Sequence, residues 1–92
     1  MIKHIVMWKI DDQNTRAVKE KLESMTDKTP QILKLETGVN IESKYTNRNL
    51  VLIKYHETTD DLYNYQIHPY HIEVKNFVGK YTSERVCLDF EI

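Results

Sequence analysis

Ile2-Lys3-His4-Ile5-Val6-Met7-Trp8-Lys9-Ile10 is the stretch on which the fold turns. It alternates as a strand, with Ile2, His4, Val6, Trp8 and Ile10 on one face and Lys3, Ile5, Met7 and Lys9 on the other. Both faces are apolar in the middle. A strand of that kind is covered on both sides, so a sheet built around it needs two different covers.

The next elements supply the first cover. Asp11 to Asn14 reads as a polar turn rich in capping residues, and a helix is expected from Thr15 to Met25. Val18, Leu22 and Met25 fall on one side of it, while Arg16 with Glu20 and Lys19 with Glu23 make i,i+4 pairs on the wet side. Asp27 to Pro30 ends the helix, because Pro30 cannot continue it and restricts Thr29. A second strand is expected from Leu33 to Glu42, with Leu35, Val39 and Ile41 in step, then a polar loop from Ser43 to Asn49. A third strand, Leu50 to Glu57, places Val51, Ile53 and Tyr55 opposite Leu50, Leu52, Lys54 and His56. These two strands form an antiparallel hairpin.

Thr58 and Thr59 are capping candidates for a short helix from Asp60 to Ile67. His68 and Pro69 interrupt it, with Pro69 suited to the first position of a new helix and His68 to the position before. Tyr70, Val74, Phe77 and Tyr81 recur at helical spacing, and Gly79 is a natural stop. Ser83 to Ile92 alternates as the last strand. The order β-α-β-β-α(α)-β predicts one α+β domain over residues 1–92, a ferredoxin-like antiparallel sandwich with its helices on one face.

The other face then needs its own cover. Ile5, Met7, Val51, Ile53, Val86, Leu88 and Phe90 lie opposite His4, Leu52 and Cys87. A face that apolar is an association surface, and a second copy packed across a two-fold axis would bury it, predicting a homodimer. The size of the chain agrees. Ninety-two residues leave a single domain able to bury roughly 65% of its unfolded surface.

Composition excludes several classes of function. The net charge is -1 with both signs scattered, so there is no basic stripe for nucleic acid. The two glycines, Gly38 and Gly79, lie far apart, which removes the glycine-rich phosphate loop and the dinucleotide fingerprint. The apolar amino terminus is broken by charge and too short for a signal peptide or a membrane span. Cys87 is the only cysteine, which fits a reducing, cytoplasmic setting, and its apolar strand suggests an inert core thiol.

Chemistry concentrates between Tyr65 and His71. The Pro69 bend could aim both side chains into one cavity under the helices, where His4 on the first strand and Asp89 on the last could join them. A histidine that titrates near neutrality, oriented by a carboxylate and paired with a phenol, is a serviceable general base with a hydrogen-bond donor. Such groups at a helix junction also serve simply to pack and hydrogen-bond. Val6, Trp8, Leu22 and Leu52, together with His4, are the expected lining of a ligand cavity. No metal is expected, because His68 and His71 lack a third ligand nearby.

The opening Ile2-to-Lys9 run, the Tyr65-Gln66-Ile67-His68-Pro69-Tyr70-His71 stretch and the closing Asp89-Phe90 resemble the stress-responsive A/B barrel domain family (Dabb). The resemblance spans essentially the whole chain, and the Tyr-x-x-His-Pro-x-His run is its most specific part. It implies a dimeric α+β barrel. A plant cyclase of that family closes a linear polyketide thioester by aldol condensation without a cofactor. By that resemblance His71 would be the base, Tyr65 its partner in the active site, Asp89 the carboxylate that supports the base and His4 a further pocket residue.

Lys54, His56 and Arg85 depart from the largely apolar pocket of the cyclase. Unless they lie at the rim and snorkel outward, they favour a smaller or more polar ligand, an anion included. Two rivals to ligand chemistry stand beside this: a non-enzymatic stress or assembly protein, and the haem or oxygen chemistry of related dimeric α+β barrels.

Overall fold

In the computed structural model of the chain, which describes residues 1–41 and 48–92, four strands form one antiparallel sheet. The elements are β1 (Ile2–Ile10), α1 (Asp12–Glu23), α2 (Met25–Lys28), β2 (Lys34–Val39), β3 (Leu50–His56), α3 (Thr59–Gln66), α4 (Pro69–Gly79) and β4 (Thr82–Glu91). The strand order is β2-β3-β1-β4. This is the ferredoxin-like arrangement, in which the first and third strands are central.

The alternation of β1 decides which side chains are enclosed. Ile2, Val6, Trp8 and Ile10 join Leu50 and Leu52 of β3 in one core with Val18, Leu22, Met25, Leu62, Tyr65, Val74 and Val78 from the helices. On the opposite face Ile53, Ile5 and Leu88 stand in one row across three strands, and Val51, Met7 and Val86 in the next. Ile5, Val51 and Ile53 are half-buried, whereas Met7, Leu88 and Phe90 are exposed in the single chain. The uncovered apolar face is therefore where the alternation puts it.

Several boundaries differ from the sequence reading. The first helix starts at Asp12, three residues before the expected Thr15. Asp11 occupies its N-cap with extended backbone (φ -76°, ψ 143°) but makes no side-chain capping bond. The chain then breaks at Ser24, so Met25 begins the short α2 and not the end of α1. The pairs Arg16–Glu20 and Lys19–Glu23 form as expected.

β2 is shorter than the expected Leu33–Glu42. It ends at Val39, and Ile41 is fully exposed beyond it. Most of the expected Ser43–Asn49 loop lies outside the described residues. Its end is informative, because Asn49 does more than favour a turn. The Asn49 side chain accepts from the Ile10 amide and donates to the Ile10 carbonyl, both at 2.9 Å, and so extends the ladder beside β1.

One further correction concerns Cys87. It is exposed, not a core thiol. β4 is an edge strand, paired on one side only. A bulge also interrupts its pairing with β1 between Met7 and Lys9. Glu84 there takes a positive φ of 54°.

A candidate active site beneath the helix break

The break between α3 and α4 is fixed by local bonds. The His68 amide donates to the Tyr65 carbonyl at 3.0 Å, closing the last turn of α3. His68 is then the N-cap of α4, its Nδ1 accepting the Tyr70 amide at 3.1 Å, with Pro69 in the first turn. The resulting bend brings the Tyr65 and His71 rings together, their centroids 4.3 Å apart and tilted by 50°. The His71 Nδ1–H donates to the Gln66 carbonyl at 2.9 Å, satisfying an acceptor that the end of α3 leaves open. That bond fixes the tautomer and leaves Nε2 with its lone pair.

Tyr65 and His71 border a cavity of about 540 Å³ between the sheet and the helices. Its inner wall includes His4, Val6, Trp8, Leu22 and Leu52, all buried, together with Met25, Val74 and Val78. All five side chains expected to contact a ligand therefore lie on it. Gln66, Lys75, Ser83, Glu84 and Arg85 are exposed and form the mouth.

Asp89 does not sit where the family likeness implied. It faces His4 across the β1–β4 ladder, and its Oδ1 accepts a short hydrogen bond from the His4 Nδ1–H. It neither borders the cavity nor supports His71, whose orienting acceptor is the Gln66 carbonyl. The cause is register. His4 and Asp89 are direct cross-strand partners, so the carboxylate is taken by the nearer histidine.

Of the three departures from an apolar pocket, only Arg85 is at the rim. Lys54 and His56 are fully buried behind the cavity wall. The Lys54 Nζ stands 3.2 Å from the centroid of the Tyr65 ring and has no hydrogen-bonding partner. His56 donates from Nδ1 to the Gln31 carbonyl at 2.7 Å and packs against Tyr65 at 5.1 Å, while its Nε2 is unpartnered. Among the described residues, the Tyr65 hydroxyl donates to the Met25 sulfur at 3.8 Å and to no stronger acceptor.

Burial governs the protonation of this group. It pushes Lys54 down to about 6, with Arg85 lowering it further and Asp89 opposing. His71 is pushed down to about 4, chiefly by burial and against the pull of the Gln66 carbonyl, with Lys54, Lys75 and His4 adding repulsion. His4 is lowered by burial and by Lys54 more than Asp89 raises it, and His56 is lowered mainly by burial. At neutral pH these side chains are predominantly uncharged bases inside a protein. Among the described residues no cluster of three or more metal-binding side chains occurs.

A four-stranded antiparallel sheet of this order with its helices on one face defines a ferredoxin-like α+β protein. The chain belongs to the stress-responsive A/B barrel domain family, whose model matches residues 2–92. It is similar to a dimeric protein of unknown function and ferredoxin-like fold from Bacteroides fragilis, at 28% identity and a TM-score of 0.84 over 99% of this chain and 95% of that one. In fold it is similar to a hydroxynitrile lyase from Passiflora edulis (12% identity, TM-score 0.87, 99% and 92% covered). It also resembles a candidate antibiotic biosynthesis monooxygenase from Nitrosomonas europaea (16% identity, TM-score 0.77, 99% and 97% covered). No curated protein shows significant similarity to the chain. No helix among the described residues is long and apolar enough to cross a membrane.

Proposed function

We propose that the chain is a homodimer whose cavities each bind a small carbonyl-bearing organic molecule, on which His71 and Tyr65 perform acid–base chemistry of the cyclase or lyase type without a cofactor. The observation that carries this reading is the fixed Tyr65–His71 pair at the cavity wall, with the free Nε2 of one ring beside the hydroxyl-bearing ring of the other. A thioether is a weak acceptor, so the Tyr65 hydroxyl gains by exchanging Met25 for a ligand carbonyl. His71 Nε2 takes a proton from the carbon beside that carbonyl, the electron pair moves onto the oxygen, and the phenol holds the developing charge. The resulting enolate carbon attacks a second carbonyl or expels a leaving group, and the imidazolium returns its proton.

A base pushed down to about 4 is weak. The enolate forms beside the imidazolium, however, and offsets the burial that weakens it. The likeness to the plant olivetolic acid cyclase at Tyr65, His71 and His4 supports this reading, as does the presence of a lyase on the same fold. The dimeric relative from Bacteroides fragilis and the apolar row through Ile53, Ile5 and Leu88 support the homodimer.

Deuterium uptake beside the carbonyl of 4-phenylbutan-2-one and related ketones, followed by NMR in heavy water, tests the chemistry. Wild-type protein is expected to accelerate exchange over buffer, His71→Ala to lower the rate about 100-fold and Tyr65→Phe by about 10-fold. The base acts when unprotonated, so the rate should fall as pH drops through about 4, not through the ordinary histidine value of 6.5. Exchange as fast in both variants as in wild type would overturn the assignment.

A further inference from the structure

We infer that the molecule held in this cavity is a small organic anion, an apolar body ending in a carboxylate that Arg85 and Lys75 read at the mouth. This rests on the reading that the cavity binds a small molecule, and it names the class of that molecule.

The charges at the mouth are unbalanced. Lys75 and Arg85 border the cavity and are exposed, and neither forms an ion pair among the described residues. Among the described residues the one hydrogen bond of Arg85 is from Nη1 to the Cys87 sulfur at 3.6 Å, a poor substitute for a carboxylate. Of the two β4 carboxylates nearby, one is tied to a buried histidine, and the other, exposed at the mouth, offsets one of the two cations and leaves a net positive charge. Asp89 holds His4, and Glu84 lies 4.0 Å from Lys9, while its backbone carbonyl accepts from Arg48 Nε at 2.8 Å. The whole chain carries a net charge of -1, so an opening where Lys75 and Arg85 outnumber Glu84 is a local feature and not an overall bias.

The bulge explains how Arg85 comes to be there. β1 advances two residues from Met7 to Lys9 while β4 covers three from Val86 to Ser83, which sets Glu84 and Arg85 together opposite Trp8. A guanidinium offers a planar fork that matches a carboxylate with two parallel bonds, and the Lys75 ammonium adds a second point charge. Inside the mouth the wall is largely apolar, with His4, Tyr65 and His71 among its polar side chains, and a volume of about 540 Å³ suits a small organic ligand more than a phosphate ion. An apolar body inside and an acid group outside satisfy both regions.

Trp8 is the only tryptophan and lies on the cavity wall, so its emission reports occupancy. The probes are 4-phenylbutanoate, the neutral 4-phenylbutanamide and the cationic 4-phenylbutylamine, titrated with Trp8 fluorescence and calorimetry in parallel. The carboxylate is expected to bind about 10-fold more tightly than the amide, the amine to bind most weakly, and the preference to shrink in 0.5 M salt. In the double variant Arg85→Gln/Lys75→Gln, whose substituted side chains are exposed, carboxylate and amide should bind alike and the amide should bind as it does to wild type. Equal binding of the two by wild type, or a preference that survives in the double variant, overturns the anion and leaves the cavity reading standing. No binding of any of the three overturns both.

Discussion

The two faces of the sheet carry opposite kinds of side chain, and not in the way burial alone would arrange them. The face enclosed by helices holds His4, Lys54 and His56 among its apolar residues, all three buried. The face left open in the single chain carries Ile5, Met7, Val51, Ile53, Leu88 and Phe90. Polar groups placed in this compartment cost stability, because each is stripped of water and two of them, Lys54 and His56, keep an atom unpartnered among the described residues. Apolar groups on the open side cost nothing once a second copy covers them. On the proposed function, the contrast teaches that one face serves a ligand and the other a second copy.

The largest effect should come from breaking the open face. Ile5→Asp puts a charge at the centre of the Ile53–Ile5–Leu88 row, and two-fold symmetry counts it twice. Losing burial worth about 2 kcal/mol per copy weakens the dimer about 1000-fold or more. Sedimentation velocity at micromolar protein should then show the mass of one chain in place of two. A dimer that persists would show that the proposed pairing uses another surface.

The second effect works on the enclosed face. Lys54 binds a proton up to its ordinary value of 10.5 when unfolded but sheds it at about 6 when folded. Between those values the unfolded state holds more protons, so stability climbs as pH rises from 6 toward 10, and below 6 the full penalty of a buried charge applies. Lys54→Met removes that penalty. In urea unfolding at fixed protein concentration, the variant should be about 3 kcal/mol or more stabler than wild type at pH 6, with the gap closing toward pH 10. A variant less stable at both pH values would mean that the packing of the Lys54 side chain against the Tyr65 ring outweighs the cost of burying it.

The smallest effect belongs to Cys87. Cys87→Ser should change stability by less than about 0.5 kcal/mol, and an aromatic disulfide reagent should modify the native thiol as fast as the unfolded one. A protected thiol would show that the edge of β4 is covered in the assembled protein.

What could be read from residues alone follows from these same contrasts. Alternation assigned every β1 and β3 side chain to its face, because a period of two fixes the side regardless of length. The Pro69 break and the His68 cap were legible because proline and an N-cap act on their immediate neighbours. Depth and partnership were not. Nothing local says that Lys54 is sealed under Tyr65 while Arg85 reaches the rim, since a helix some residues further along decides it. The pairing of Asp89 with His4 depends on strand register, which is a property of two distant segments. The early start of α1 was missed because Asp11 caps it through backbone conformation without a side-chain bond.

The bulge in β4 has one more consequence. A single strand here supplies both Leu88 and Phe90 to the open face and Arg85 to the cavity mouth, two surfaces under separate demands. On the proposed function, the bulge lets this strand turn Arg85 toward a ligand without disturbing the alternation that presents Leu88 and Phe90 to a second copy, so residues that choose the ligand and residues that hold the partner can vary separately.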